Sequence, residues 1–509
     1  MANEKRSLKS SYSSKEADLA PFLNDFWPLE DLSEVMSQRK KVNSPRALLQ
    51  KVLTEQNAQL ENAEAVTANI KLLADDKTFT VTTGHQVCLF GGPMFTLYKI
   101  ASTIALARDL KIRHPEYQFV PVLWMATEDH DWEEVNHYFP KFGEKRTYEA
   151  DVKGPVGRHV INANIEKVFT PSTPSWLKAC YTPGKTFADA FRQLMHTLFG
   201  KYGLVILDAD NKELKQVFEP AMEKELLGTG IGPSFLESTK ALKDLGYKTQ
   251  VYPRDINLFH LGNGDRLLIE KREGSYTLKG TEISHPQSEI IAALRQNPED
   301  FSPNVAFRAM YQESILPNIA YIGGWAEVSY WMQFKAGFDQ LGIPFPIVIP
   351  RLHATFLSED QLEEWKDLGF EVEDLAKPLH QLYDDYVARN WDNSELEAAT
   401  SKVLDAYGEL AEMLGEIDPT RKISMLAEQK RRSRVMQKLE KKVKKSLRNK
   451  QPQPYRKIRE LKNAIEPENA SQQRVLNFTG INMEAFALIQ RILDAAEPQN
   501  LDAKWITLA

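Results

Sequence analysis

The chain has 509 residues, 42% of them hydrophobic and 26% charged, which is enough apolar material to bury a large core in two or three structural units. Only Cys88 and Cys180 occur, which argues against a disulfide scaffold and suits a reducing compartment. No stretch approaches the roughly 18 uninterrupted apolar residues of a membrane span. Met1–Ala20 lacks the apolar region of a signal peptide, and the net charge of −6 is unlike that of a strongly basic nucleic-acid binder, so a globular cytoplasmic protein is expected.

In chain order, Asp18–Leu73 reads as mostly helical, opening on the aromatic anchors Phe22, Phe26 and Trp27, and serves as a cover for a sheet. Phe79 and Val81 then begin a short strand. A tight polar loop follows, containing Gly84, Gly91 and Gly92, and Pro93 fits the first position of a long helix. Met94, Leu97, Tyr98, Ala101, Ile104 and Ala105 recur on one face of that helix at three-and-four spacing. Cys88, flanked by Val87, Leu89 and Phe90, reads as a small buried hydrophobe in preference to a nucleophile. Val120–Ala126 is the next strand, ending in the polar burst Thr127, Glu128, Asp129, His130, Asp131. Strand, helix and strand make a βαβ unit, whose TTGHQ and TEDHD loops should face one crevice outside the carboxyl ends of the strands.

Tyr148–Val168 alternates around Gly154, Pro155 and Gly157, which predicts an inserted β element. Gly203–Asp210 is a buried strand whose Asp208 and Asp210 either join the crevice or cap the helix that follows. Gln250–Thr281 predicts an antiparallel meander as a second insertion. From Ser302 the core resumes, with strands at Ile319–Ile322 and Pro346–Ile349 and a helix at Trp325–Leu341. Past Pro378, Leu396, Ala399, Val403, Ala406, Leu410, Met413 and Ile417 keep a three-and-four alternation, and after Pro419 a second helix carries Val435, Leu439, Val443 and Leu447. An antiparallel hairpin with an apolar seam is expected. Lys430–Lys450 holds eleven Lys or Arg against the single acid Glu440, which supports a rival reading as a nucleic-acid-binding or scaffolding protein. No recognisable nucleic-acid module accompanies that run, and a solvated helix face is the commoner cause of such a pattern.

The chain lacks both GxGxxG after the first strand and GxxxxGK[ST] anywhere, so the common dinucleotide and P-loop readings are missing their glycines and lysine. Thr83, Gly84, His85 and Gln86 form a candidate anion cradle built largely on backbone donors. Arg308, following Ser302 and Asn304, offers a rigid fork for a carboxylate, and Arg351 is a second residue of the same kind. Glu128, Asp129, His130 and Asp131 could supply a general base or ligands to a divalent ion. His130, Glu134 and His137 would share one face if a helix starts there. Capping of a helix start accounts for the same acids.

Four stretches, VTTGHQVCLFGGPMFTLYK, PVLWMATEDHDWEEVNH, SPNVAFRAMYQESILPNIAYIGGWAEVSYW and VIPRLHAT, resemble in order and spacing the BshC family, assigned as the cysteine ligases that finish bacillithiol biosynthesis. The likeness runs from about Thr78 to Thr355, and the later SQQRVLNF is similar to the family's LQERVLN element. Two positions depart from the family pattern: His85 stands where a second Gln is usual, and Gly324, Trp325, Ala326 and Glu327 replace a Gly-Pro-Gly-Glu-like turn.

The resemblance implies an α/β fold with a nucleotidyltransferase-like Rossmann core interrupted by connecting-peptide insertions, followed by a coiled-coil dimerisation domain. It places the core at 1–380 with insertions near 140–200 and 245–300, the coiled coil at 381–465 and a returning segment at 466–509. It also implies a homodimer and amide-bond formation between cysteine and glucosaminyl malate. In this reading Glu128, Asp129, His130 and Asp131 are catalytic, and Thr83, Gly84, His85, Gln86, Asn304, Arg308, Glu327 and Arg351 bind substrate. ATP suits a ligase although no ATP motif is present, and the use of a metal stays open.

Overall fold

The computed structural model describes residues 6–508 apart from 263, 273 and 467–469. It resolves into two units, one made of residues up to Ala354 together with Gln473–Lys504, the other of Thr355–Gln472 with the residues from Trp505 on.

The first unit is built on a five-stranded, wholly parallel sheet. Its strands are β1 (Thr78–Gln86), β2 (Gln118–Ala126), β3 (Val205–Asp208), β4 (Asn318–Gly323) and β5 (Ile347–Pro350), in the spatial order β5-β4-β1-β2-β3. β1 runs in register with β2 along its whole length, Thr78 opposite Gln118 through Gln86 opposite Ala126. The β-branched run Thr78, Thr80, Val81, Thr82, Thr83 suits a central strand, and all five are buried. The chain continues from β1 towards β2 and β3 on one side, whereas β4 and β5 lie on the other. The strand order therefore reverses beside β1, the place where open α/β sheets bind ligands.

Helix α1 (Phe95–Arg113) follows β1 and is buried along most of its length, including Lys99. It starts two residues beyond the position expected for Pro93, because Phe90, Gly91 and Gly92 all take positive φ (49°, 78° and 69°) and turn the chain before the helix can begin. A Cβ on Gly92 would lie 2.8 Å from that of Cys88, so the turn closes only around glycine. The turn is held by the later segment: Asn477 Nδ2 donates to the carbonyls of Phe90 (2.8 Å) and Gly92 (2.6 Å), and the Met94 amide donates to Leu476 O. Cys88 is buried, and burial pushes its thiol up to about 12, the state of a packing residue.

The first insertion differs from expectation. Tyr148–Val168 contains short 3₁₀ turns (Val156–Arg158 and Ala163–Val168), and the antiparallel pair here is His137–Lys141 with Glu144–Thr147. Gly154, Pro155 and Gly157, which suggested strand punctuation, instead allow close approach: Cβ atoms at Gly154 and Gly157 would meet the Gly264 carbonyl and the Thr127 side chain. The second insertion is the expected meander, Leu258–His260, Leu267–Arg272, Ser275–Leu278 and Ser284–Pro286, with Phe301–Pro303 added at its edge. Three further helices complete the surroundings of the sheet: α2 (Lys212–Leu227), α3 (Val305–Ile315) and α4 (Trp325–Leu341).

The second unit begins at Thr355, earlier than the boundary near 380 expected from sequence. Trp365, Phe370, Leu375 and Leu382 share a core with Ile458, Leu461 and Ile465, so the helices Glu359–Asp367 and Leu379–Asn390 belong with Pro452–Ile465. From this core extends a hairpin of α5 (Ser394–Ile417) and α6 (Pro419–Lys450), capped at the bend by Asp418, whose side chain accepts from the Thr420 amide. Ala411 is the one described residue of α5 that is buried, and α6 has none. Among the described residues, no helix is long and apolar enough to cross a membrane.

Candidate functional site

At the carboxyl ends of β1, β2 and β4 lies a cavity of about 640 Å³, lined among others by Gly84, Gln86, Glu128, Asp129, Arg266 and Arg308. The anion cradle expected here is altered. Gly84, His85 and Gln86 continue β1 opposite Trp124, Met125 and Ala126, so their backbone belongs to the sheet and does not form a loop of free donors. Thr83 spends its hydroxyl on Ile322 O (2.8 Å), tying β1 to β4, and is fully buried. Gly84 matters through its missing side chain, since a Cβ there would stand 3.3 Å from an Arg308 nitrogen and 3.5 Å from the Tyr321 hydroxyl. The His85 ring meets Phe95 edge-on at 5.3 Å, and burial pulls its pKa down to about 3, which keeps the imidazole neutral.

Arg308 reaches the cavity from α3. Its guanidinium donates from NH1 to Gln312 Oε1 (3.2 Å) and lies over the Trp124 ring. Among the described residues, no carboxylate lies within ion-pairing distance of it. Asn304 caps α3, its side chain accepting from the Ala306 and Phe307 amides at 3.0 Å each while its Nδ2 donates to Asn257. Glu327 stands at the start of α4 and is committed to protein partners: Lys99 Nζ at 2.6 Å, the Tyr321 hydroxyl at 2.8 Å and the Gly324 amide at 2.8 Å. Burial opposes its ionisation, but the Lys99 charge and these hydrogen bonds outweigh burial and hold the carboxyl below its ordinary range. Arg351 lies outside the cavity lining, buried against Phe95 and donating to Leu352 O and Gln473 Oε1, both at 2.6 Å.

The TEDHD residues separate into distinct roles. Asp129 accepts from Gln86 Nε2 (2.6 Å) and from the His130 amide (2.7 Å), with Arg266 3.7 Å away. Burial acts against its charge, yet those donors hold its pKa well below the usual carboxylate range. Glu128 pairs at 2.5 Å with Lys215 of α2, whose ammonium also approaches Asp210 (3.4 Å) and donates to Glu299 O (3.0 Å). Burial pushes Glu128 up, against the pull of Lys215. Asp131 is the N-cap of Trp132–Val135, accepting from the Glu134 amide, and His130 sits half-exposed at the rim beside Arg266.

Because that helix spans only Trp132–Val135 and His137 opens a strand, His130, Glu134 and His137 share no helix face. Among the described residues, no three His, Cys, Asp or Glu side chains converge as metal ligands. Asp208 and Asp210 also stay out of the cavity: Asp208 accepts from Thr127, Asp210 takes a two-point contact from Arg158, and Asn211 caps α2.

Two lining residues, Lys99 and Arg266, were missed by the sequence reading, and a third, Glu134, was read only as a metal-ligand candidate with His130 and His137. Glu134 extends into the cavity, its Oε2 3.3 Å from Gln86 Nε2, and burial together with the charges of Asp129 and Asp131 raises its pKa. Lys99 donates to Gly84 O (2.9 Å) and anchors Glu327. Its signal was a lysine amid Leu97, Tyr98, Ile100 and Ala101, a stretch buried all round. Arg266 stacks 3.9 Å above Phe259 and donates to Ser302 Oγ and Pro303 O, which gives the SPN motif a task; nothing in its own neighbourhood of the sequence marks it.

Residues 1–352 match the family described as Bacillithiol biosynthesis BshC, N-terminal Rossmann-like domain, and residues 354–508 match its C-terminal coiled-coil domain. Among similar curated proteins, one from Flavobacterium psychrophilum is 37% identical, with 96% of this chain and 94% of that protein aligned. Relatives from Flavobacterium johnsoniae (33%; 98% of this chain, 97% of that one) and Cytophaga hutchinsonii (32%; 96% and 94%) follow. All three carry the name "Putative cysteine ligase BshC".

Proposed function

The chain belongs to the BshC family of bacillithiol biosynthesis, and on that premise we propose that it is a cysteine ligase joining cysteine to glucosaminyl malate by an amide bond. The carboxyl of cysteine must first be activated, and the glucosaminyl nitrogen must then attack it and shed a proton. The observation that carries this reading is one cavity of about 640 Å³ in which the Arg308 fork and the acids Asp129 and Glu134 line the same space. Arg308, with no carboxylate partner among the described residues, is suited to the malyl carboxylate, and the planar guanidinium favours two-point binding. Asp129, ionised and fixed by Gln86, suits the amino group. Glu134, whose raised pKa makes it the better proton acceptor, suits the role of base.

ATP as the activating co-substrate is part of the same proposal, with Arg254 on the cavity wall available to phosphate oxygens. So are a cytoplasmic location and a homodimer formed through the hairpin, on which Leu410, Met413, Ile417 and Ile423 stand 45%, 63%, 82% and 71% exposed. The test is bacillithiol formation by the purified protein from cysteine and glucosaminyl malate, with and without ATP and a divalent ion. Product dependent on ATP supports the reading; no product in any arm overturns the substrate assignment.

A further inference from the structure

Beneath Arg308 runs a chain of fully buried polar side chains to which the reaction assigns no task. Gln312 lies one helical turn along α3, on the same face as Arg308, and its Oε1 accepts from Arg308 NH1 at 3.2 Å. Its Nε2 donates to Glu313 Oε1 (2.8 Å), and the same oxygen accepts from Asn318 Nδ2 (2.8 Å). Asn318 Oδ1 in turn accepts from the hydroxyls of Thr82 (2.8 Å) and Thr80 (3.1 Å). Gln312, Glu313, Thr80 and Thr82 are 0% exposed and Asn318 2%, so the chain crosses from α3 through β4 to β1 without reaching water.

Every link has a fixed direction. Glu313 Oε1 takes the Asn318 nitrogen, so the Asn318 oxygen must face the threonine hydroxyls, which turn to donate to it. Glu313 Oε1 accepts whether or not the carboxyl carries a proton on Oε2, so it takes the nitrogen of Gln312, and the remaining Gln312 oxygen must face Arg308. A side-chain amide otherwise turns over easily, and the reverse orientation would aim N–H groups at a guanidinium that is itself all donors. Burial pushes the Glu313 carboxyl up to about 7, a cost that apolar residues at these positions would avoid.

We propose that Gln312, held by Glu313, is a positioning residue that fixes the rotation of the Arg308 guanidinium so that its outward edge is presented to the carboxylate of the substrate. The inference rests on the proposed role of Arg308. Arg308 also lies over the Trp124 ring and against the bare backbone at Gly84, neither of which accepts a hydrogen bond from it, so among the described residues the Gln312 oxygen is the acceptor that selects one rotation of the fork.

The test compares Gln312→Met and Gln312→Glu, each in the parent and in the Arg308→Lys background, by KM for both substrates, kcat and melting temperature. In Gln312→Glu, one proton shared with Glu313 reproduces the donor below and the acceptor above. The expected result is a KM for glucosaminyl malate raised about 5- to 10-fold by Gln312→Met, the scale of one lost hydrogen bond. The KM for cysteine should hold, and Gln312→Glu should restore the parent value. In the Arg308→Lys background the Gln312→Met effect should vanish, since the fork it orients is gone. An unchanged KM in Gln312→Met, or an effect of equal size in both backgrounds, overturns the proposal while leaving Arg308 as a binding residue. If Arg308→Lys alone leaves KM unchanged, the Arg308 assignment fails and this inference with it. Should Gln312→Met fail to fold, Glu313→Met carries the same test, because it leaves Gln312 in place but removes the acceptor that fixes its amide.

Discussion

The crevice of the parallel sheet and the α5–α6 hairpin are both rich in charge, and they use it in opposite ways. In and beneath the crevice Lys99 and Lys215 are buried and the Arg266 side chain is 8% exposed, and each meets a carboxylate: Glu327, Glu128 and Asp129. On the hairpin, the eleven basic residues of Lys430–Lys450 stand on a helix with no buried residue, and a few are paired within the helix, as Arg432 is with Glu428 and Lys444 with Glu440. Burial turns a charge into a constraint, because a partner lost there leaves an ion without water. A solvated charge can be exchanged at little cost. The density of charge along the sequence therefore points to the wrong region, and the mutational response of the two should differ sharply.

The largest expected stability effect is in the crevice. Lys215→Met strands Glu128 in a buried site, while Asp210 keeps its two-point contact with Arg158, and should cost about 3–5 kcal/mol by denaturant unfolding. A loss below 1 kcal/mol would mean that water reaches the pair and that the contrast in burial is not energetic.

A second measurement uses pH. Burial holds His85 neutral down to about pH 3, whereas in the unfolded chain it takes up a proton near 6.5. Its folded pKa is depressed, so the associated stability is complete above about 6.5 and is lost progressively as pH falls towards 3, at up to about 1.4 kcal/mol per pH unit. His85→Gln should flatten the stability profile in that window, and an unaltered slope would place His85 in contact with water.

Two smaller effects are expected on the hairpin. The parent should sediment as the proposed dimer, and Leu410→Asp with Met413→Asp as a monomer, while unfolding of the sheet unit keeps its midpoint; a monomeric parent would remove the dimer, and a dimeric variant would move the interface elsewhere. Reversing Lys441 and Lys445 to Glu should change stability by less than about 0.5 kcal/mol. If the same reversal abolished RNA or DNA binding at physiological salt, the basic run would have a function of its own.

Legibility in the sequence follows the same division. The βαβ start, the meander, the later strands and the hairpin were readable because each rests on local periodicity. The end of β1 was not: Gly84, His85 and Gln86 look like a loop, and only pairing with Trp124–Ala126 makes them strand. The boundary at Thr355 was hidden because Trp365 and Leu382 find their core with Ile458 and Leu461, far along the chain. At the site, Asp129 and Arg308 were visible as polar residues at strand and helix ends. Arg266, paired with Asp129 across long sequence separation, had no local mark, and Asp131 looked like its neighbours until its cap to Glu134 was seen.

The central claim is that the acids beyond β2 are the reacting centre of the ligase, and the most direct measurement is steady-state bacillithiol formation by Glu134→Gln beside Glu133→Gln. The two carboxylates are adjacent on one short turn and both are exposed, but of the two Glu134 lines the cavity and meets Gln86. Glu134→Gln should lose roughly 10²–10⁴ in turnover, the scale of general-base catalysis, with melting unchanged within a few degrees, and Glu133→Gln should match the parent. Turnover at the parent level in Glu134→Gln would contradict the account and remove this wall of the cavity from the chemistry.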